Sequence, residues 1–176
     1  MALKKDTVVL ENYNPEWKEM YKEEETRLKD LLGNNIIDVM HVGSTSIEGL
    51  SAKPVIDIMV TVNKLSDVEN FKDLFKLEDG YDFRDDGGEK GEYLVRKGSE
   101  EARAHFIHII EDKSVRYYNF TEFKTYLLNH PEWIKKYEDL KRELSVKFSD
   151  DRKNYTASKN DFIQNILKLY DEENII

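Results

Sequence analysis

Alternating apolar residues mark the centre of the chain as two strands joined by a polar turn. Residues 36–40 form a short apolar run, and residues 55–62 alternate, so that Ile56 and Ile58 share one face while Asp57 lies on the other. The Gly-Ser pair between the two runs predicts a sharp turn. The pattern therefore predicts a strand, a turn and a second strand that carries a lone carboxylate opposite its core-facing side.

Apolar residues at helical spacing predict helices on both sides of this unit. Asn14-Pro15-Glu16 combines a capping residue, a proline at the first helical position and an acid in the first turn, so a helix is expected to begin there. Gly33-Asn34 is a typical end for this helix. Residues 65–77 have the spacing of a second helix packed on a sheet. The last third of the chain predicts three more helices, at residues 117–128, 131–148 and 155–170.

Further strands are predicted at residues 81–84, 92–97 and 102–110, where they would form an antiparallel meander. Residues 7–10 are a short apolar run that we interpret as an edge strand. The expected fold class is therefore α+β, with a mixed, mostly antiparallel sheet of about five strands. N-terminal and C-terminal helices would pack around this sheet, and residues 1–176 would form one domain.

The turn has the chemistry of an anion site. A glycine at position 43 lets backbone N–H groups approach a phosphate closely, and the hydroxyls of Ser44 and Thr45 add donors. Asp57 on the following strand would hold a divalent cation, which in turn holds phosphate oxygens. The alternative is that Gly43-Ser44-Thr45 is only a turn and that Asp57 only caps a neighbouring loop.

The strand at residues 102–110 supplies candidate histidines. His105 and His108 are three residues apart, so a regular strand sends them to opposite faces, and both serve one site only across a bulge or twist. Histidine is a common metal ligand and the usual general base near neutral pH, and His108 is preferred. The alternative is that each histidine bonds a neighbour in the sheet. His41 is a further candidate, interpreted as a sheet residue that orients the turn.

Two lysines extend the predicted phosphate site. Lys53 precedes a proline, which favours an extended backbone, and its ammonium group would neutralise phosphate. Lys159 belongs to the C-terminal helices, which would close a cleft against the sheet. From there it would reach the same phosphate. The alternatives are a solvated loop lysine at position 53 and a surface salt bridge at position 159.

Composition and charge limit the classes of function. The net charge is -9, and 36% of the residues are charged, which argues against a nonspecific nucleic-acid binder because such proteins need a basic surface. The absence of cysteine excludes disulfides and thiolate zinc sites. No run of apolar residues is long enough for a membrane span, and the first residues are too polar for a signal peptide. We therefore expect a cytoplasmic protein with no membrane partner.

Several segments together resemble the GrpB family, an uncharacterised group placed in the nucleotidyltransferase superfamily. The clearest is His41-Val-Gly-Ser-Thr-Ser-Ile-Glu-Gly-Leu-Ser-Ala-Lys-Pro-Val-Ile-Asp, and the resemblance continues in family order over nearly the whole chain. Other matching segments are Tyr13-Asn-Pro-Glu-Trp17, Arg103-Ala-His-Phe-Ile-His108 and Tyr155-Thr-Ala-Ser-Lys159. The resemblance implies a nucleotidyltransferase-like fold. The second acid of the superfamily's Asp-x-Asp pattern would fall at position 59, which is Met59, a poor ligand for Mg²⁺.

The predicted function is a nucleotidyl- or phosphoryl-transferase that acts on a nucleotide or another phosphorylated metabolite with Mg²⁺ or Mn²⁺ in preference to Zn²⁺. Asp57 and His108 are the predicted catalytic residues, and Asp57, His105 and His108 are the predicted metal ligands. The alternative is a noncatalytic module that binds the same ligands in a degenerate site. Glu92 is a candidate replacement for the missing acid. The predicted phosphate-binding residues are Gly43, Ser44, Thr45, Lys53, Arg103 and Lys159.

Overall fold

The structure, a computed structural model, describes residues 8–85, 88–99 and 102–175. Within these residues it contains a five-stranded sheet in the order β1-β2-β5-β4-β3. The β2–β5 pair is parallel and the other pairs are antiparallel, so the predicted α+β fold with a mixed, mostly antiparallel sheet is confirmed. The strands are β1 Asp38–Val42, β2 Ile56–Val62, β3 Tyr81–Arg84, β4 Glu92–Ser99 and β5 Ala102–Glu111.

Five α-helices surround this sheet in the described part of the chain. The prediction of one helix at residues 155–170 is wrong in one respect, because the chain forms two helices in this region, separated at Lys159. Asp151 caps the first of the two by accepting a hydrogen bond from the Asn154 N–H at 3.0 Å. No helix among residues 8–85, 88–99 and 102–175 is long and apolar enough to cross a membrane. The helices are α1 Glu16–Leu32, α2 Val115–Asn129, α3 Pro131–Lys147, α4 Arg152–Ser158 and α5 Asn160–Asn174.

The segment predicted as a helix at residues 65–77 forms two 3₁₀ helices instead, Leu65–Asn70 and Lys72–Leu77. Phe71 separates them, because its backbone leaves the helical region at φ -131° and ψ -3°. Each short helix still buries an apolar residue, Val68 in the first and Phe75 in the second. The helical spacing of the sequence therefore identified the buried positions but not the type of helix.

The N-terminal segment and β1 also differ from the prediction. Residues 8–10 form no strand, and position 7 lies outside the described residues. Glu11 instead forms an isolated antiparallel bridge with Ala52. β1 begins at Asp38, two residues after the start of the predicted apolar run. This shift places His41 within β1, next to the turn.

The two faces of the sheet pack against different parts of the chain. On one face, Ile58 and Ile107 belong to the main core together with Trp17 of α1 and Phe75. On the other face, buried Met59 packs near residues of α2. Because β2 and β5 run parallel, Asp57 pairs with Phe106 and Met59 with His108. Asp57 and His108 therefore share the face that is turned toward the C-terminal helices.

Candidate functional site

A cavity of about 620 Å³ separates the Asp57 face of the sheet from helices α2, α3, α4 and α5. This volume lies in the range of small-molecule and cofactor sites. The turn after β1 lines one part, and residues of all four helices line the rest. Among the described residues that line the cavity, five are Lys or Arg and two are Asp or Glu. The cavity is therefore locally cationic in a chain whose net charge is -9.

Gly43 brings the turn and the carboxylate of Asp57 together. Its φ of +70° favours glycine, and a Cβ atom built at this position would lie 2.5 Å from Asp57 Oδ2. Val42, the residue before it, is paired with Asp57 in the β1–β2 ladder. The turn continues as a short 3₁₀ helix over Ser44–Ser46. Only glycine lets the backbone pass this close to the carboxylate.

Thr45, which lines the cavity, and His41 stabilise the turn through contacts with each other and with α1. Thr45 is 3% exposed, and its Oγ1 lies 2.9 Å from His41 Nε2. The His41 ring also stacks on Tyr21 of α1 with 4.8 Å between ring centroids. Burial and nearby Lys124 lower the pKa of His41 to about 4, so its ring is neutral at pH 7. These contacts agree with the interpretation of His41 as a sheet residue that orients the turn.

His108 lies between two carboxylates on the floor of the cavity. Its Nε2 is 3.5 Å from Asp57 Oδ1, and its Nδ1 is 3.2 Å from Glu92 Oε2. Burial opposes its charged form, but the hydrogen bonds with Asp57 and Glu92 outweigh burial and raise its pKa to about 9. His108 is therefore an imidazolium at neutral pH, with both ring nitrogens acting as donors.

Arg116 of α2 completes this chain of charges. Its Nε donates to Glu92 Oε2 at 2.9 Å, and the Glu89 N–H donates to Glu92 Oε1 at 3.0 Å. Burial alone would raise the pKa of Glu92, but His108 and Arg116 outweigh it and lower this pKa to about 2. The pKa of Asp57 is also lowered, because His108, Lys53 and Lys159 outweigh the effect of its burial. Both carboxylates are therefore ionised at neutral pH.

Three lysines from distant segments meet on the other side of Asp57. Lys53 lies in the loop before β2, Lys141 in α3 and Lys159 at the α4–α5 junction. Lys53 Nζ and Lys159 Nζ lie 5.3 Å and 4.7 Å from the centroid of the Tyr155 ring, and Lys141 Nζ lies 4.9 Å from that of Tyr137. No carboxylate in the described part of the chain forms an ion pair with any of the three lysines. The three ammonium groups thus lie over aromatic faces and lack a full counter-charge.

Burial and mutual repulsion weaken the charge of these lysines. Burial lowers the pKa of Lys53 to about 7, with a further contribution from Lys159 and Arg152. Burial followed by the charge of Lys159 lowers the pKa of Lys141 to about 7. The pKa of Lys159 is lowered to about 8, again mainly by burial. A ligand with negative charge would relieve this repulsion.

Sequence comparison places the chain among known relatives. Residues 7–169 match the family described as GrpB protein. The chain belongs to the GrpB family. The glutamate-rich protein GrpB of Alkalihalophilus pseudofirmus is 31% identical over 170 residues, which cover 95% of this chain and 98% of that relative. The UPF0157 protein YqkA of Bacillus subtilis is 34% identical over 86% of this chain, which spans only 44% of that relative.

Solved structures agree with the family and the fold. The crystal structure of the conserved protein GrpB from Enterococcus faecalis matches with a TM-score of 0.84 and 32% identity, over 94% of this chain and 98% of that one. A structure of Cid1 in complex with its short product ApU matches 70% of this chain and 42% of that one, with a TM-score of 0.43 and 13% identity. The Cid1 likeness is too low to carry an argument about the site. The fold is therefore that of the GrpB family.

Most of the site residues predicted from the sequence line the cavity, but two do not. The residues that do are Gly43, Ser44, Thr45, Lys53, Asp57, His108 and Lys159. His105 lies on the opposite face, because it pairs with Ile56 of β2 and the side chains of β5 alternate from there to His108. Arg103 lies beyond an irregularity in the β4–β5 register and does not line the cavity. His105 is 8% exposed, and Arg103 bonds the Gly98 carbonyl and Asp82. The predicted set of metal ligands therefore cannot meet at one point.

The cavity also contains cations that sequence reasoning did not assign. Lys141 follows Tyr137 by four residues on the apolar stripe of α3, a stripe interpreted as core. A lysine within an apolar stripe is the signal that could have identified Lys141 as a site residue. Lys141 is 1% exposed. Arg152 at the start of α4 lies over the Phe106 ring at 4.8 Å, and Arg116 lies over Phe120 at the same distance. Sequence spacing gave no reason to bring these arginines to Asp57.

The donor set does not fit a resident centre of divalent metals. Met59 occupies the position of the second acid and is fully buried. Glu92 lies near this position, but Arg116, His108 and the Glu89 N–H already occupy its oxygens. In residues 8–85, 88–99 and 102–175, no three His, Cys, Asp or Glu side chains converge as a metal site.

Proposed function

We propose that this cavity binds a nucleotide or another phosphorylated small molecule. The phosphate would lie against the Gly43–Ser44 turn and the ammonium groups of Lys53, Lys141 and Lys159. The rest of the ligand would extend along the aromatic rings and the residues of α5. The observation that carries the proposal is the convergence of three lysines without carboxylate partners on a glycine-containing turn.

Electrostatics supports an anionic ligand over a neutral one. Lys141 is buried, and Lys53 and Lys159 are half-buried. Such cations without ion-pair partners lose part of their hydration, and a folded protein retains them at a cost in stability. A bound phosphate would accept charge-assisted hydrogen bonds from several of these ammonium groups at once. The strongly acidic surface favours recognition of one small ligand in the cavity over binding of a long polyanion such as nucleic acid.

Transfer of a nucleotidyl or phosphoryl group is a second candidate function. It is favoured by the position of Asp57, which lies beside the turn and within 3.5 Å of the imidazolium of His108. In this arrangement His108 could protonate a leaving oxygen. Binding alone requires only the turn and the lysines, so it is the function that the geometry supports best.

Thermal shift with a panel of phosphorylated compounds tests the proposal. The panel would contain nucleoside mono-, di- and triphosphates, sugar phosphates and inorganic phosphates, each with and without Mg²⁺ or Mn²⁺. A ligand present at about 100 times its dissociation constant should stabilise the fold by about 2.7 kcal/mol. Lys159→Gln should reduce this stabilisation to about half or less, as expected if the dissociation constant rises about tenfold or more.

Lys168→Gln is the matched control, because Lys168 lies on α5 with a 74% exposed side chain and pairs with Glu172 at 3.7 Å. This variant removes the same charge and should keep the full shift. Release of pyrophosphate or phosphate on incubation would establish transfer or hydrolysis in addition to binding. Failure of every panel compound to stabilise the wild type would refute the proposed function.

A further inference from the structure

The lysine cluster and the lone acid point to the way in which the phosphate is held. We infer that the ammonium groups of Lys53, Lys141 and Lys159 replace divalent metal ions, so that the cavity binds its phosphorylated ligand without a metal. This inference rests on the proposed function, because it concerns the same ligand in the same cavity. It opposes the expectation of Mg²⁺ or Mn²⁺ drawn from the sequence.

The side-chain charges around the expected position of the phosphate favour an anion over a metal ion. A magnesium-dependent site collects carboxylates, which make the empty pocket anionic and attract the cation. Here the described lining residues include five Lys or Arg side chains but only two carboxylates, Asp57 and Glu89. Arg116 Nη1 already pairs with Glu89 Oε2 at 2.9 Å. The pocket would therefore repel a free divalent cation and attract an anion.

The surroundings of Asp57 do not suit a metal ligand. Asp57 is the only carboxylate near the turn among the described residues that line the cavity. Its Oδ1 faces the imidazolium of His108 at 3.5 Å, and the charges of Lys53 and Lys159 also act on it. A metal bound at Asp57 would face the charges of Lys53 and Lys159, and among the described residues it would find no cluster of further donors to complete its shell. Asp57 thus already faces positive charge, although it forms no ion pair with the lysines, and this arrangement does not suit a metal ligand.

Contacts within the fold hold the three lysines in place. Lys141 Nζ donates to the Ser51 carbonyl, two residues before Lys53, so α3 and the Lys53 loop are joined through one ammonium group. Tyr155 of α4 is 1% exposed, and both Lys53 and Lys159 lie over its ring. The three charges are therefore held near one another before any ligand arrives. Such preorganisation lowers the ordering cost of binding.

Calorimetric titration with inorganic tripolyphosphate, in EDTA and in excess Mg²⁺ at pH 6.5, tests the inference. In EDTA the wild type should bind as tightly as in Mg²⁺ or more tightly, because Mg²⁺ shields the phosphate charge that the lysines recognise. Lys53→Gln and Lys159→Gln should each weaken binding in EDTA about tenfold or more, as expected for loss of one charge-assisted contact. Lys168→Gln should bind like the wild type.

Asp57→Asn gives the sharpest distinction, because the two ways of holding phosphate predict opposite signs. If the lysines hold the phosphate, removal of a negative charge from an anion site should leave the affinity in EDTA unchanged or raise it severalfold. If a metal holds the phosphate, the same substitution should abolish the binding that the wild type shows in Mg²⁺. The inference is supported if Asp57→Asn binds tripolyphosphate in EDTA with an affinity that matches or exceeds that of the wild type.

Three results would overturn the inference. Binding of tripolyphosphate only in the presence of Mg²⁺, or loss in Asp57→Asn of the binding that the wild type shows in Mg²⁺, would show that a metal is required and would leave the proposed function intact. Absence of tripolyphosphate binding in both buffers would also reject the inference. The proposed function fails separately, and only if no compound of the phosphorylated panel binds the wild type.

Discussion

A Cβ atom on Gly43 would lie 2.5 Å from Asp57 Oδ2 and 2.9 Å from Asp57 Cβ. The turn and the carboxylate are therefore in contact at a position that only glycine can occupy, since the φ of Gly43 is also +70°. This contact unites the turn after β1 with the acid of β2 and forms the base of the candidate site. It has a direct consequence for stability.

Gly43→Ala should destabilise the protein more than Gly49→Ala. Both glycines have positive φ, but a Cβ atom on Gly49 would have no neighbour within 4 Å. We expect Gly49→Ala to cost about 1 kcal/mol from backbone strain, and Gly43→Ala roughly 2–4 kcal/mol because overpacking against Asp57 adds to the strain. Urea unfolding of the two variants measures the difference. Equal costs would mean that the contact with Asp57 does not constrain the turn.

Glu92→Gln should lower the pKa of His108. In the wild type this pKa is raised to about 9 by hydrogen bonds with Asp57 and Glu92. Removal of one of the two carboxylate charges should lower it by about one unit or more. NMR titration of the His108 ring signals measures the change. Glu89→Gln is the control, because Glu89 contacts Arg116 and not His108, and an equal shift in both variants would contradict this assignment.

Affinity for a phosphorylated ligand should fall as the pH rises from about 6.5 to 9. The pKa values of Lys53 and Lys141 are lowered to about 7 and that of Lys159 to about 8, so these groups lose their charge in this range. An anion favours the charged forms and raises these pKa values, so binding at pH 7.5 should take up protons. Calorimetry in buffers of different ionisation enthalpy measures the uptake.

Two groups besides the lysines bear on this pH dependence. His108 loses its charge near pH 9, which would add to the fall at the upper end of the range. Asp57 is ionised throughout, because its pKa is lowered. Release of protons on binding at pH 7.5 would contradict the prediction, since metal ligands release protons when a metal binds.

Glu138→Gln should weaken ligand binding without touching the cavity, because Glu138 holds the loop that carries Lys53. Its Oε2 accepts from the Ser51 N–H and its Oε1 from the Ser51 hydroxyl, each at 2.8 Å. We expect a loss of about 1–2 kcal/mol in the free energy of unfolding and a severalfold loss of affinity. Urea unfolding and calorimetry provide the two measurements.

Asp139→Asn is the matched control for Glu138→Gln, since Asp139 lies next to it on α3. Its side chain is 64% exposed and contacts Lys135 at 3.4 Å. This variant should change neither stability nor affinity by a measurable amount. If both variants weakened binding equally, the effect would come from the overall charge of α3 and not from the Ser51 loop.

His105→Leu should leave ligand affinity unchanged, because His105 faces the α1 side of the sheet. Within the described part of the chain, neither of its buried ring nitrogens forms a hydrogen bond of good geometry. Burial outweighs the effect of the Met20 backbone and lowers the pKa of His105, which keeps the ring neutral at pH 7. Loss of an unsatisfied buried polar group should keep the free energy of unfolding the same or raise it by about 1 kcal/mol. Calorimetry and urea unfolding check both expectations, and loss of ligand binding would return His105 to the site.

Local sequence patterns determined a large part of this picture. Alternation in β2 separated Asp57 from the core-facing residues, and the Gly-Ser pair located the turn that contacts it. Alternation in β5 also separated His105 from His108. The α+β class followed from the order of strand and helix patterns, because each element has a short-range period that can be read without knowledge of its neighbours.

Tertiary structure decided which of these residues act together. The parallel pairing of β5 with β2 selected His108 as the histidine beside Asp57, and no local pattern specifies which strands are neighbours. Packing of α3 and α4 brought Lys141, Arg152 and Tyr155 to the turn from positions about 100 residues away in the sequence. The charge of a pocket is a sum over such distant side chains, and it became visible only once the chain was folded.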